Sequence, residues 1–357
     1  MEQGACESAK PAWPEGLLGC LAAAALVALL RGSNSNLWTP LVVGAWAAAF
    51  ALLPGFRNRV QCAVRRSWQA VCAFPVESQY IPWRAVLVLV VLPDIFFLML
   101  RDQGIQSGDS RPVVMTAASL VRRQRAELTP FAKNYTQRRL FTAGDEPPYF
   151  FLPRPDGIYS NYPSGMVPFA LPVVATSYLL GADLDSPLVH DRLEKLTAAG
   201  VSAACLAMFF VAALHLAEAR TAYATSWLLA AGSVMFSTVG QALWQHGGVI
   251  FWTEVLLLVE FRCWRSATWK TISLQGAACA MMLACRLSAG LIVVSFGVWV
   301  LLRAPLRALA IAGCAAVAVA PWAVMNWSVY GTPLGPSSVQ ASAGLWSAGD
   351  VRAWLGV

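Results

Sequence analysis

Long apolar runs recur along this chain, separated by short polar connections. Of its 357 residues, 57% are hydrophobic and only 13% are charged, whereas soluble domains carry about 25% charged residues. About 20 apolar residues form a helix that crosses a hydrocarbon core near 30 Å thick. The runs 84–100, 198–217 and 306–325 approach that length. A soluble all-α protein with buried helices would need more surface charge, so we predict an all-α integral membrane protein.

The apolar runs define a multi-span helical bundle of about 9–10 segments. Candidate spans are 16–30, 37–55, 84–100, 198–217, 222–239, 248–261, 271–285, 288–302 and 306–325. A tenth run, 166–180, carries Pro168 and Pro172, so we expect a helix lying at the membrane interface. We predict four regions: N-terminal spans with a cytoplasmic loop (1–100), a large loop with short helices (101–197), a membrane bundle (198–335) and an outer segment (336–357), which we expect to be truncated.

Basic residues fall in alternate short loops. Cytoplasmic loops of membrane proteins carry an excess of Lys and Arg, and one set of alternate loops holds Arg57, Arg59, Arg65, Arg66, Arg220, Arg262, Arg265, Lys270, Arg303 and Arg307. This pattern predicts a cytoplasmic N-terminus and an extracytoplasmic loop 101–197. The net charge of +7 fits such loops. No basic stripe with interleaved aromatic residues is present, so we exclude nucleic acid as a partner.

The candidate catalytic acid is Asp109, which follows Gly108 shortly after an outward-running span. A carboxylate that is partly desolvated at a membrane interface becomes a stronger base, although a solvated loop acid would look the same in sequence. Asp94 is a rival, because an acid inside an apolar run is a functional candidate. It would equally mark a kink beside Pro93.

Other polar residues collect on the predicted outer side. Asp145 and Glu146 precede a Pro- and Tyr-rich stretch that contains Tyr162, and aromatic residues suit an interface or a sugar-binding surface. His246 lies in the polar cluster Gln241-Ala242-Leu243-Trp244-Gln245-His246-Gly247, and Arg286 lies between two apolar runs. An arginine at this depth binds an anionic headgroup or phosphate, or simply anchors the helix.

Common soluble-enzyme motifs are missing from the sequence. It contains no Walker loop, no G-x-G-x-x-G after a strand, no H-E-x-x-H and no G-x-S-x-G. The nine cysteines form no C-x-x-C pair, so neither a zinc site nor a disulfide framework is indicated. We expect no metal ligands and no resident cofactor, with a divalent cation requirement left open.

In their order and sidedness, the polar motifs resemble those of polytopic GT-C glycosyltransferases of the dolichyl-phosphate-mannose–protein mannosyltransferase type, above all the bacterial relatives that use polyprenyl-phosphate sugars. The likeness extends over residues 101–335. It rests on Gly108-Asp109 after an outward helix, Tyr162-Pro163-Ser164-Gly165, Arg286-Leu287-Ser288-Ala289, and the stretch from Asn326 to Gly335 with its Gly331-Thr332-Pro333-Leu334-Gly335 end. A second Gly-Asp pair, Gly144-Asp145, leaves the choice of catalytic acid open.

The resemblance implies a GT-C-like fold in a cell's inner (plasma) membrane. It implies that a sugar moves, with inversion, from a polyprenyl-phosphate donor to a glycan, lipid or protein acceptor outside the cytoplasm. Asp109 would be the base, and Asp145, Glu146, Tyr162, His246 and Arg286 would bind substrate. The competing class is a transporter or a non-catalytic protein that binds membrane lipids. Transporters place polar residues at mid-membrane, whereas here they lie at the ends of the predicted spans.

Overall fold

The structure, a computed structural model, describes residues 82–99, 108–132, 148–233, 235–263 and 267–336, and these are mostly helical. The coarse all-α prediction is therefore confirmed for them. The chain divides into two compact units, described separately below. The first comprises the described residues of Met1–Ile105 and Val173–Gln241, and the second those of Gln106–Pro172 and Ala242–Val357.

Most of the described helices follow the predicted apolar runs. They are α1 (Trp83–Met99), α2 (Arg111–Arg123), α3 (Val167–Leu179), α4 (Pro187–Ala213), α5 (Ala219–Gly232), α6 (Gln245–Cys263), α7 (Trp269–Cys285), α8 (Gly290–Leu301) and α9 (Pro305–Tyr330). Single 3₁₀ turns, Ser164–Met166 and Leu287–Ala289, precede α3 and α8, and a π-helical turn covers Met235–Val239. The predicted spans 16–30 and 37–55 lie outside the described residues.

Helix α4 begins well before the predicted span 198–217. Pro187 stands in its first turn after Ser186, where the missing proline N–H costs no hydrogen bond. The added turns carry Asp191, Arg192, Glu194 and Lys195, all of which are buried. These residues belong to the stretch 101–197 that we assigned to the outer loop, because a charged segment of sequence looks like a loop until its packing is known.

Two of the described helices, α4 and α9, are both long and apolar enough to cross a membrane. The helices α3 and α8, with their 3₁₀ turns, are apolar but shorter. In the first unit, α1 packs against α4 and α5. A T-shaped pair of rings, Phe210 on α4 and Tyr223 on α5, joins those two helices with centroids 5.8 Å apart.

The core of the second unit lies among α6, α7, α8 and α9. It contains Leu256, Ala278, Cys279, Met282, Ala289, Phe296, Val300 and Ile311. Gly276 on α7 lies so near Cys314 and the backbone of Ala315 on α9 that a Cβ would overlap them. Small residues at helix crossings allow close packing of this kind.

A β-hairpin interrupts the helices in the large loop. Strands β1 (Phe151–Arg154) and β2 (Gly157–Ser160) pair antiparallel, with Leu152 opposite Tyr159. Pro155-Asp156 makes the turn, and Gly157 has φ near +151°, a conformation that glycine adopts readily. We predicted short helices in this loop but not strands.

Candidate functional site

Asp109 lies in a turn immediately before α2. The turn comprises Gly108, Asp109 and Ser110, and Ser110 is the N-cap residue of the helix. Pro112 occupies the first turn of α2, where proline favours helix initiation. The amino end of a helix carries partial positive charge, which stabilises a nearby carboxylate. The local sequence therefore places a carboxyl side chain at the start of this helix.

Two tyrosine hydroxyls donate hydrogen bonds to the same oxygen of Asp109. Tyr162 Oη lies 2.6 Å from Asp109 Oδ1, and Tyr149 Oη lies 3.3 Å from it. Gly108 leaves room for this arrangement, because a Cβ there would overlap Tyr149 and Phe150. The structure thus brings together two predicted site residues, Asp109 and Tyr162, and adds Tyr149, which ends the predicted stretch 145–149 but to which we assigned no role.

Both tyrosines remain protonated beside the carboxylate. Burial raises the pKa of Tyr162, and the hydrogen bond to Asp109 and its charge raise that pKa further. Burial and then the charge of Asp109 raise the pKa of Tyr149. The tyrosines therefore act as donors at neutral pH. A charge-assisted hydrogen bond of this kind is stronger than one between neutral groups, so the carboxylate is held in one orientation.

The β-hairpin positions Tyr162. The hydroxyl of Ser160 donates to the carbonyl of Tyr162 and accepts from its backbone N–H, each at 3.0 Å. The hairpin is in turn fixed to the end of α9, where Tyr330 Oη donates to the carbonyl of Ser160 at 2.9 Å. Arg154 Nε donates to the carbonyl of Val329 at 3.2 Å. Contacts remote in sequence therefore hold the tyrosine in place.

The segment after Tyr162 reaches the end of α7. A Cβ on Gly165 would overlap the backbone of Ala284 and Cys285, so this close approach requires glycine. A Cβ on Gly248 of α6 would likewise overlap the side chains of Met166 and Cys285. Residues 162–166 therefore connect the Asp109 cluster to the helix ends that carry Arg286 and His246.

Arg286 and His246 contact each other. Arg286 Nη1 lies 2.5 Å from Nε2 and 3.2 Å from Nδ1 of the His246 ring, and both residues are solvent-accessible. His246 precedes the predicted span 248–261. Burial lowers its pKa, and the positive charge of Arg286 lowers it further. The imidazole is therefore neutral at neutral pH and accepts a hydrogen bond, leaving one net positive charge on the pair.

The stretch from Asn326 to Gly335 ends beside the same hairpin. Asn326 Nδ2 donates to the carbonyl of Pro333 at 3.2 Å, and Gly331 and Gly335 both have φ near +74°. Tyr330 in this stretch contacts Ser160, as described above. In the second unit, segments that we placed on one side of a membrane thus meet at one end of the helices.

Several predicted residues fall elsewhere. Asp145 and Glu146, with the rival motif Gly144-Asp145, lie outside the described residues. Asp94 is on α1 in the first unit, where its Oδ1 has no hydrogen-bond partner among the residues that the structure describes. Gln241 also belongs to the first unit, so the predicted cluster 241–247 is divided between the two units, and His246, in the second unit, contacts Arg286.

A buried ionic network was missed in the sequence. Arg307 on α9 forms a bidentate salt bridge with Glu260 on α6. Gln275 on α7 donates to Glu260 at 2.6 Å and accepts from Arg307 at 3.1 Å. We assigned Arg307 to a cytoplasmic loop. The sequence does contain a signal for this network: Glu260 and Gln275 lie inside apolar runs, and polar side chains at that depth need partners.

Within the described ranges, no group of three or more His, Cys, Asp or Glu residues could hold a metal ion.

Compared with known proteins, the chain matches no protein-family model, no curated protein and no solved structure. The glycosyltransferase resemblance therefore rests on the motifs of this chain and remains a prediction.

The lowered pKa of His246 predicts a pH-dependent stability. The folded state binds the histidine proton less well than the unfolded state, whose pKa is about 6.5, so stability falls as the pH drops through that value. We expect the thermal midpoint of the wild type to decrease as the pH is lowered from about 7.5 to 5.5, and we expect a smaller decrease in His246→Gln. The decrease in Arg286→Gln should be intermediate. An equal decrease in all three proteins would contradict a lowered pKa of His246.

Proposed function

We propose that this chain is a membrane glycosyltransferase with Asp109 as its general base. The observation that carries the proposal is the hydrogen-bonded cluster of Asp109, Tyr149 and Tyr162, which residues 162–166 connect to the Arg286–His246 pair. A carboxylate and a cation connected by one short, closely packed segment suit a reaction in which one group accepts a proton while the other meets a departing phosphate.

Embedding in a membrane is supported by the exposed apolar surface of α9. Of its 26 residues, the buried ones are Ile311, Asn326 and Tyr330. Leu309, Val317 and Val324 are 66%, 75% and 69% exposed. Soluble proteins rarely expose large contiguous apolar patches, whereas lipid tails accommodate such a surface. With the arginine-rich connections on one side, the candidate site would face away from the cytoplasm.

The proposed reaction is a single displacement. The hydroxyl oxygen of the acceptor attacks the anomeric carbon of the sugar, and the bond from that carbon to the phosphate oxygen breaks. The acceptor proton passes to the Asp109 carboxylate, and polyprenyl phosphate leaves with the bonding electrons. Attack opposite the leaving group inverts the anomeric configuration. A positioned base of this kind contributes about 10²–10⁴-fold to the rate.

The other residues of the site have supporting roles in this proposal. Arg286 would bind the phosphate bidentately and offset the charge that develops on it, and neutral His246 would keep the guanidinium oriented. Tyr149 and Tyr162 would hold the carboxylate while their rings border the sugar. A lipid phosphate is already a stable leaving group, so the chemistry requires no strong acid.

The experiment is a transfer assay with the full chain in proteoliposomes. Polyprenyl-phosphate donors with radiolabelled sugars are supplied together with glycan, lipid and protein acceptors, and labelled product is expected from one combination. Absence of product with every donor, while a polyprenyl lipid still co-purifies, would favour the non-catalytic lipid-binding alternative.

The topology is tested by reporter fusions. Fusions at Arg65 and at Asp156 in the hairpin turn should report opposite sides of the membrane. The same side for both would contradict the proposed orientation of the site.

A further inference from the structure

An apolar groove runs along the second unit between α6 and α8. It encloses about 470 Å³, and its lining includes Leu257, Phe261, Leu291, Phe296 and Trp299. Its volume falls within the range of about 300–1,000 Å³ typical of small-ligand sites. From Thr253 to Phe261 on α6 the groove is about 12 Å long, at about 1.5 Å of rise per residue. Its length and lining fit part of one hydrocarbon chain.

Basic residues stand at one end of this groove. The guanidinium carbon of Arg303 lies 4.4 Å from the centroid of the Trp299 ring, which lines the groove. Arg262 follows the lining residue Phe261 directly, and both arginines are exposed. The carboxylate in the lining, Glu260, is paired with Arg307, so its charge is already compensated within the helices.

We propose that this groove is a binding site for an anionic phospholipid. One acyl chain lies against Phe261, Phe296 and Trp299, and the headgroup phosphate contacts Arg262 and Arg303. Guanidinium groups bind phosphate oxygens through paired hydrogen bonds, and basic residues beside a membrane helix attract anionic lipids. A zwitterionic lipid would fill the groove equally well but would lack the net charge that these arginines attract.

This site differs from the candidate catalytic site. The groove ends at Phe261, toward the end of α6, whereas His246 stands in the first turn of the same helix. A lipid held by Arg262 and Arg303 therefore has its headgroup at the opposite end of the helix from Arg286. The inference rests on the membrane embedding proposed above and not on sugar transfer.

The test measures lipid binding to the full chain, purified in a zwitterionic detergent. Phosphatidylglycerol and phosphatidylcholine with identical acyl chains are titrated, and bound lipid is counted by native mass spectrometry. We expect the wild type to prefer phosphatidylglycerol and the variant Arg262→Gln/Arg303→Gln to lose about fivefold in affinity for each arginine removed. Ser295→Trp, which fills the groove, should weaken both lipids.

Arg220→Gln, a matched change at an exposed arginine of the first unit, should retain the wild-type preference. Equal binding of the two lipids by the wild type, or an unchanged preference in the double variant, would overturn the proposal. The thermal midpoint without added lipid verifies that each variant is folded. A chain that is monodisperse without any detergent would instead contradict the membrane embedding. Failure of the lipid-site proposal can therefore be distinguished from failure of the membrane proposal on which it rests.

Discussion

Asp109→Asn is expected to lower sugar transfer by about 10²–10⁴-fold, the usual contribution of a positioned general base. Asparagine has nearly the same shape and its amide oxygen still accepts a hydrogen bond from Tyr162, so the loop should keep its structure. It cannot take the proton of the acceptor at neutral pH. The measurement is the initial rate of labelled product formation in proteoliposomes at saturating donor, with the thermal midpoint as a check on folding.

The hairpin provides a matched control for this variant. Tyr159 Oη donates to Asp156 Oδ2 at 2.9 Å, the same kind of pair as Tyr162 and Asp109, but on the exposed turn. Asp156→Asn should therefore retain the wild-type rate. Tyr162→Phe removes one hydrogen bond to a charged group, which is worth about 1.5–3 kcal/mol, so we expect a smaller loss of about tenfold to a hundredfold.

The pattern among the variants identifies the base. Equal losses in Asp109→Asn and Asp156→Asn would mean that any change in this loop impairs the protein. A wild-type rate in Asp109→Asn with a large loss in Asp145→Asn would move the base to the second Gly-Asp pair. A wild-type rate in both variants would contradict a carboxylate base at either motif.

Much of the helical framework could be predicted from the apolar runs alone. The predicted run 271–285 became α7 (Trp269–Cys285), and 306–325 became α9 (Pro305–Tyr330). Apolar residues fill most of each helix, so composition predicts these boundaries to within five residues. The start of α4 was missed because Asp191, Arg192, Glu194 and Lys195 look solvated in sequence, and only tertiary packing shows that they are buried.

The candidate site was predicted only in part, because some of its contacts depend on tertiary packing. Gly108-Asp109 and Tyr162-Pro163-Ser164-Gly165 are recognisable as motifs, and their glycines mark the close approaches that the structure contains. Sequence could not reveal that Tyr149 would join them, since that contact depends on how the hairpin folds back over 40 residues of separation. Partners so distant in sequence leave no periodic signal.

Arg307→Met is expected to destabilise the protein by about 3–5 kcal/mol, because it leaves Glu260 as an uncompensated buried charge. Glu260 is 1% exposed and Gln275 is fully buried, so water cannot replace the lost guanidinium. The network also joins three helices, α6, α7 and α9, at the end away from the candidate site. The measurement is the free energy of unfolding, or the shift in thermal midpoint, in one fixed detergent.

The double variant Glu260→Met/Arg307→Met distinguishes the cost of an unpaired charge from the loss of a useful pair. Replacing a buried ion pair by apolar side chains is often neutral or stabilising by about 1–4 kcal/mol, so the double variant should recover most of the stability lost by Arg307→Met. Lys270→Met, a change at an exposed residue in the first turn of α7, should have little effect. If the double variant is no more stable than the single one, the network stabilises the packing of α6 against α9 beyond charge neutralisation.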